Sequence, residues 1–118
     1  MIDYHKQLVS ALEEILPKRV HHELTLHSGL KTPCISYSED DNSDIAVGDT
    51  LAYSNVSYIV KVWASANDIG QIQHYAVQVS DALRKLGFTR TSSGELWDTE
   101  RSMCQKIMIF KATGFERF

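Results

Sequence analysis

The strongest constraint in this sequence is the run from Ile69 to Leu86, where Ile69, Ile72, Ala76, Val79, Leu83 and Leu86 step by three, four, three, four and three residues. That spacing brings an apolar side chain back to one face of an α-helix at every turn, and such a face has to be laid on another element. The ends are marked too. Ser65 followed by Asp68 has the form of a capping box. Arg84 and Lys85 stand in the last turn, where cations suit the helix dipole, and Gly87 fits the position just past the end. The chain must hold a surface wide enough to receive this helix.

The remaining pattern predicts a sheet. Val56, Tyr58, Val60, Val62 and Ala64 alternate with Asn55, Ser57 and Lys61, the signature of a strand, and Ile59 and Trp63 imply that its second face is also partly covered. Met103 to Phe110 is apolar at both parities apart from Gln105 and Lys106, which suits an interior strand continuing to Ala112. Nearer the start, Leu8, Leu12, Ile15 and Leu16 predict a helix over residues 3–16 that Pro17 stops. Val20, His22, Leu24 and Leu26 alternate with His21, Glu23, Thr25 and His27, predicting a strand broken by Ser28-Gly29, and a second short strand follows at residues 33–38. The acids, Asn, Ser and Gly from Ser38 to Thr50 read as a long loop. Phe88 to Ser92 and Leu96-Trp97 read as the start of a hairpin turning at Ser93-Gly94. Helix, three strands, helix, two strands predicts an α+β fold: a single domain over residues 1–118, with a mainly antiparallel sheet and both helices on one face.

A chain of 118 residues can bury roughly two-thirds of its unfolded surface, and 43% apolar with 23% charged residues places it among folded globular chains. Its two cysteines, Cys34 and Cys104, lie in apolar stretches without disulfide or zinc spacing, so buried inert thiols in a reducing compartment are expected. The N-terminal residues contain no basic segment leading into an apolar one, and no apolar run is long enough for a membrane span. Charge is uneven. Residues 32–68 hold Lys61 alone against Glu39, Asp40, Asp41, Asp44, Asp49 and Asp68, while residues 69–118 are mildly basic. That balance argues against a nucleic-acid grip, which needs a basic stripe, and suits contact between protein surfaces.

No arrangement of chemistry-bearing residues stands out. His21 and His22 are neighbours on a strand and point to opposite faces, so they do not chelate one ion. The run from Glu39 to Asp44 lacks the central glycine and closing glutamate of a calcium loop. Glu95, Asp98 and Glu100 fall near the expected hairpin turn, where carboxylates are solvated. There is no phosphate-binding glycine loop and no nucleophile elbow. No catalytic, cofactor or metal site is therefore assigned. The terminal aromatics Phe115 and Phe118 are hard to bury within one domain and suit docking on a neighbour.

Three segments carry a family resemblance: Tyr37-Ser38-Glu39-Asp40-Asp41-Asn42, Tyr58-Ile59-Val60-Lys61-Val62-Trp63-Ala64, and the helix ending in Leu86-Gly87-Phe88. Over roughly residues 33–115 the chain resembles the tail completion, or tail terminator, proteins of long-tailed bacteriophages and prophages. The resemblance implies a structural virion protein without enzymatic activity or cofactor. It would be assembled in the bacterial cytoplasm as a ring, commonly of six copies, that caps the head-proximal end of the tail tube, ends tail growth and allows head joining. Its partners would be further copies of itself, the tail tube protein and head–tail connector proteins, with no specific nucleic-acid or membrane contact. The alternative is a non-enzymatic protein-binding module of a bacterial cell. For subunit or tail-tube contact the expected residues are Glu39, Asp40, Asp41, Asp44 and Asp49 of the acidic segment, the cations Arg90, Arg101, Lys106 and Lys111, and Phe115 and Phe118; for the binding module they are the acidic segment and the terminal aromatics.

Overall fold

A computed structural model of the chain describes residues 3–27, 29–46 and 51–117. The elements run α1 (His5–Ile15), β1 (Val20–His22), a 3-10 turn (Glu23–Thr25), β2 (Cys34–Ala46), β3 (Leu51–Ala64), a 3-10 turn (Ile69–Gln71), α2 (Ile72–Lys85), β4 (Thr89–Asp98) and β5 (Met103–Arg117). The strands form one sheet in the order β1-β2-β3-β5-β4, antiparallel except for the parallel pair β1 and β2. Helix α2 lies across β3, β5 and β4, and α1 packs beside it and on β1. The α+β fold expected from the sequence is the one observed.

The face of the sheet under the helices is the even parity of β3 read from the sequence. Val56, Tyr58, Val60, Val62 and Ala64 are buried there with Met108 and Phe110 of β5, beneath Ile72, Ala76, Val79 and Leu83 of α2 and Leu8 and Leu12 of α1. Burying one such side chain stabilises the fold by about 1.5–3 kcal/mol, so this layer carries the fold. A Schellman motif ends α2: Phe88 N–H donates to the Leu83 carbonyl and Gly87 N–H to that of Arg84, both at 3.0 Å, with Gly87 at φ 98°. The motif turns Phe88 into the core beside Tyr4 and Tyr58.

Four local expectations are corrected. Val20 to Leu26 is not one strand: β1 stops at His22, and the 3-10 turn follows because the Leu24 N–H donates to His22 Nδ1 and the Thr25 hydroxyl to the His22 carbonyl. Leu24 is left 88% exposed. Within the expected loop, residues 38–46 instead continue β2, paired to β3 from Glu39↔Tyr58 to Ala46↔Ala52, and β3 begins at Leu51. Ser93-Gly94 makes no turn, since Ser93 faces Met108 and Gly94 faces Ile107 in mid-strand. The reversal lies at residues 99–102, where Asp98 Oδ1 accepts the Arg101 N–H at 3.0 Å. Lastly, Ile69 belongs to the 3-10 turn and is 43% exposed, so the buried face of α2 starts at Ile72. Asp68 nevertheless accepts the Ser65 N–H at 2.6 Å, as half of the expected capping box would.

Candidate functional site

The acidic segment is built into a projecting arm. Thirteen residues of β2 extend along a molecule measuring 54 × 25 × 24 Å, and β1 covers the outer edge of β2 only from Ile35 to Tyr37. From Ser38 onward that edge has no neighbouring strand among the described residues, while β3 and the end of β5 complete a three-stranded arm. Few apolar side chains hold β2 of this arm in place. Hydroxyl–carboxylate pairs to β3 do so, Ser54 Oγ to Asp44 Oδ1 at 2.6 Å and Ser57 Oγ to Asp40 Oδ2 at 3.2 Å, while Ser43 Oγ bonds Asp41 Oδ1 within β2 at 2.7 Å. Thr113 Oγ1 adds a bond to Asn55 Oδ1 from β5 at 2.9 Å.

A bulge between Glu39 and Asp41 decides where the acids point. Glu39 stays opposite Tyr58 on the helix side, whereas Asp41 falls opposite Ser57 on the open side, with Asp40 as the inserted residue reaching the same Ser57. Two successive carboxylates therefore share the open side, in a groove of about 450 Å³ that Lys111 also lines. On the helix side, Glu39 joins Asp3, His5, His22, Tyr37 and Tyr58 around a pocket of about 220 Å³. Burial first, and then the charges of Glu39 and Asp3, push the Tyr58 hydroxyl up to about 12, so it stays protonated.

The expected cations do not form one surface. Arg101 is tied to Asp98 at 2.7 Å and lies over the Trp63 ring at 5.4 Å, and Lys106 faces Glu95 at 3.8 Å. Arg90 is exposed on β4, which is an edge strand exposed along nearly its whole length. Phe115 is in β5 opposite Tyr53, with its side chain outside the description; Asp49 and Phe118 lie outside the described residues.

Sequence reasoning missed two further features. The first is a polar cluster on the open face. Trp63, fully buried, donates its indole N–H to Ser36 Oγ at 2.9 Å. Ser36 donates to Glu23 Oε2 at 2.7 Å, and Lys61 pairs with Glu23 Oε1 at 2.6 Å. Alternation along β3 gave Lys61 and Trp63 one face, but Ser36 joins them only through the pairing of β2 with β3, and Glu23 only through the 3-10 turn. The second is a pocket of about 460 Å³ lined by Lys18, Arg19, His21, Leu30 and Lys31, among others, at the start of β1 and β2. Lys18-Arg19 after Pro17 was its one visible signal.

Cys34 and Cys104 are both buried and unpaired, on opposite faces of the sheet. Burial pushes the Cys34 thiol up to about 11 and raises that of Cys104 as well. No three His, Cys, Asp or Glu side chains among the described residues are grouped as metal ligands, and none of the described helices is long and apolar enough to cross a membrane.

No protein-family model matches the sequence, and no curated protein does either. Solved structures do match. One is a chain of the virion of a native gene transfer agent particle, at 17% sequence identity and a TM-score of 0.71, over 92% of this chain and 89% of that one. At that identity the likeness is one of fold, and it spans nearly the whole of both chains.

Proposed function

We propose that this chain is a structural virion protein of a phage-type particle and acts as its tail terminator. It closes into a ring on the head-proximal end of the tail tube, stops tube growth and presents a surface for head joining. The observation that supports this reading is the fold likeness over 92% of this chain to a chain of a gene transfer agent virion. The sequence segments around Tyr37, Trp63 and Leu86-Gly87-Phe88, which resemble tail terminators, give the finer role. A projecting arm joined to a two-layer body also suits a protein whose work is contact with further copies and with a tube. The reading includes no catalysis and no cofactor.

Deleting the gene from a host that produces the particles, then imaging those particles by electron microscopy, tests it. The expected products are separate full heads and tails of irregular, excessive length, with normal particles restored by the gene in trans. Complete particles with tails of normal length in the deletion strain would refute the role.

A further inference from the structure

Two regions of opposite charge sit along β2, a basic one at its start and an acidic one at its middle. At its start, the pocket lined by Lys18, Arg19, His21 and Lys31 lies against the Arg19 carbonyl, which accepts the Ile35 N–H at 2.9 Å. Lys18 and Lys31 are exposed, and the ion pairs of the described residues use Lys61, Arg84, Arg101 and Lys106 instead. Glu13 is beside this pocket and uses one carboxylate oxygen to accept the Lys18 backbone N–H at 2.8 Å. At the middle of the strand stand Glu39, Asp40 and Asp41, exposed, hydrogen-bonded to serines at Asp40 and Asp41, and in none of those ion pairs. Lys111 lines the Asp40–Asp41 groove without closing an ion pair there.

The two regions cannot satisfy each other within one molecule. Six residues of β2 separate Ile35 from Asp41, roughly 20 Å in extended strand, and pairing to β3 on both sides of the bulge at Asp40 keeps the two regions apart. A contact between them has to join two copies, and it is heterologous, since the acidic arm of one meets the basic pocket of the next. Heterologous contacts propagate head to tail and close into a ring when the rotation allows. Opposite charge fixes which end meets which and speeds encounter.

We infer that the acidic arm of one copy, through Asp40 and Asp41, docks in the Lys18–Lys31 pocket of an adjacent copy. This rests on the ring reading above and gives that ring its polarity. Of the expected cations of the C-terminal third, Arg101 and Lys106 are paired within the chain and Arg90 and Lys111 stand singly, whereas Lys18, Arg19 and Lys31 are gathered in one pocket, which makes that pocket the complementary partner.

Charge exchange tests the contact. An arm variant, Asp40→Lys with Asp41→Lys, and a pocket variant, Lys18→Glu with Lys31→Glu, are compared with the parent by native mass spectrometry and sedimentation over a range of protein and salt concentrations. Melting curves check that both variants are folded. Each variant alone is expected to need on the order of tenfold or more protein for half-assembly. An equimolar mixture is expected to recover parental assembly, because a basic arm then meets an acidic pocket at one junction and the parental pair recurs at the next. The recovered species should hold even numbers of subunits. Variants that assemble as well as the parent, or a folded mixture that stays apart, overturn the contact. So does a parent that never self-associates, alone or on tail tubes. A pocket variant that assembles normally but loses affinity for a short DNA duplex assigns the pocket to nucleic acid and likewise overturns it. Particle morphology in the deletion strain reports separately on the tail-terminator reading, so the two failures are distinguishable.

Discussion

Alanine at the two glycines of the α2–β4 region should give opposite results, because their backbones differ while the space around them does not. Gly87 has φ 98°, and a Cβ added there meets nothing within 4 Å. The cost of Gly87→Ala is therefore backbone strain alone, about 1–2 kcal/mol for placing an L-residue in the left-handed region. For a chain of 118 residues that corresponds to a fall in Tm of roughly 4–8 °C. Gly94 also has open space around it, but it lies in strand β4 opposite Ile107, without a left-handed φ. Gly94→Ala removes chain entropy from the unfolded state and should be neutral or stabilising by up to about 1 kcal/mol. Calorimetry or urea denaturation of both variants reads the contrast directly. Equal losses at the two sites would refute the reasoning, for they would mean that Gly94 sits in a turn requiring positive φ and that β4 is not continuous.

Other expectations are more local. Leu83→Ala, at a fully buried position of α2 against the sheet, should cost about 2–5 kcal/mol, and Val79→Asp should abolish the cooperative transition by burying an unpaired charge; a near-parental melting temperature for either would contradict the packing. Ser36→Ala leaves the buried Trp63 indole N–H without its acceptor and takes one donor from Glu23. The loss should be about 1–3 kcal/mol with a changed Trp fluorescence, and an unchanged urea midpoint would show the cluster to be unimportant. Cys34 should react with a thiol reagent only after unfolding. Because its thiol is raised from 9.0 to about 11, the unfolded chain loses that proton first. Stability should then be full below about pH 9 and fall as the pH rises toward about 11, a slope that Cys34→Ala should reduce in urea titrations at several pH values.

What the sequence determined by itself is the set of elements whose burial is periodic along the chain. Val60, Val62, Met108 and Phe110 alternate in strands, and Ile72, Ala76, Val79 and Leu83 repeat at helical spacing, because each repeat is dictated by local backbone geometry. The end of α2 was legible for the same reason, since Gly87 answers a backbone requirement one residue long. Only the tertiary structure decided that the acidic segment is a strand. Its composition favours turns, and what holds it extended is the β3 backbone together with hydroxyls ten and seventeen residues away, Ser54 for Asp44 and Ser57 for Asp40. The reversal at residues 99–102 rather than at Ser93-Gly94 was likewise set by pairing, because an edge strand exposed to water tolerates serine and glycine in mid-strand once β5 supplies its hydrogen bonds. The basic pocket is the furthest from sequence. Lys18 and Lys31 are thirteen residues apart, and they share a surface only because the parallel pairing of Val20 with Ile35 brings the two segments side by side.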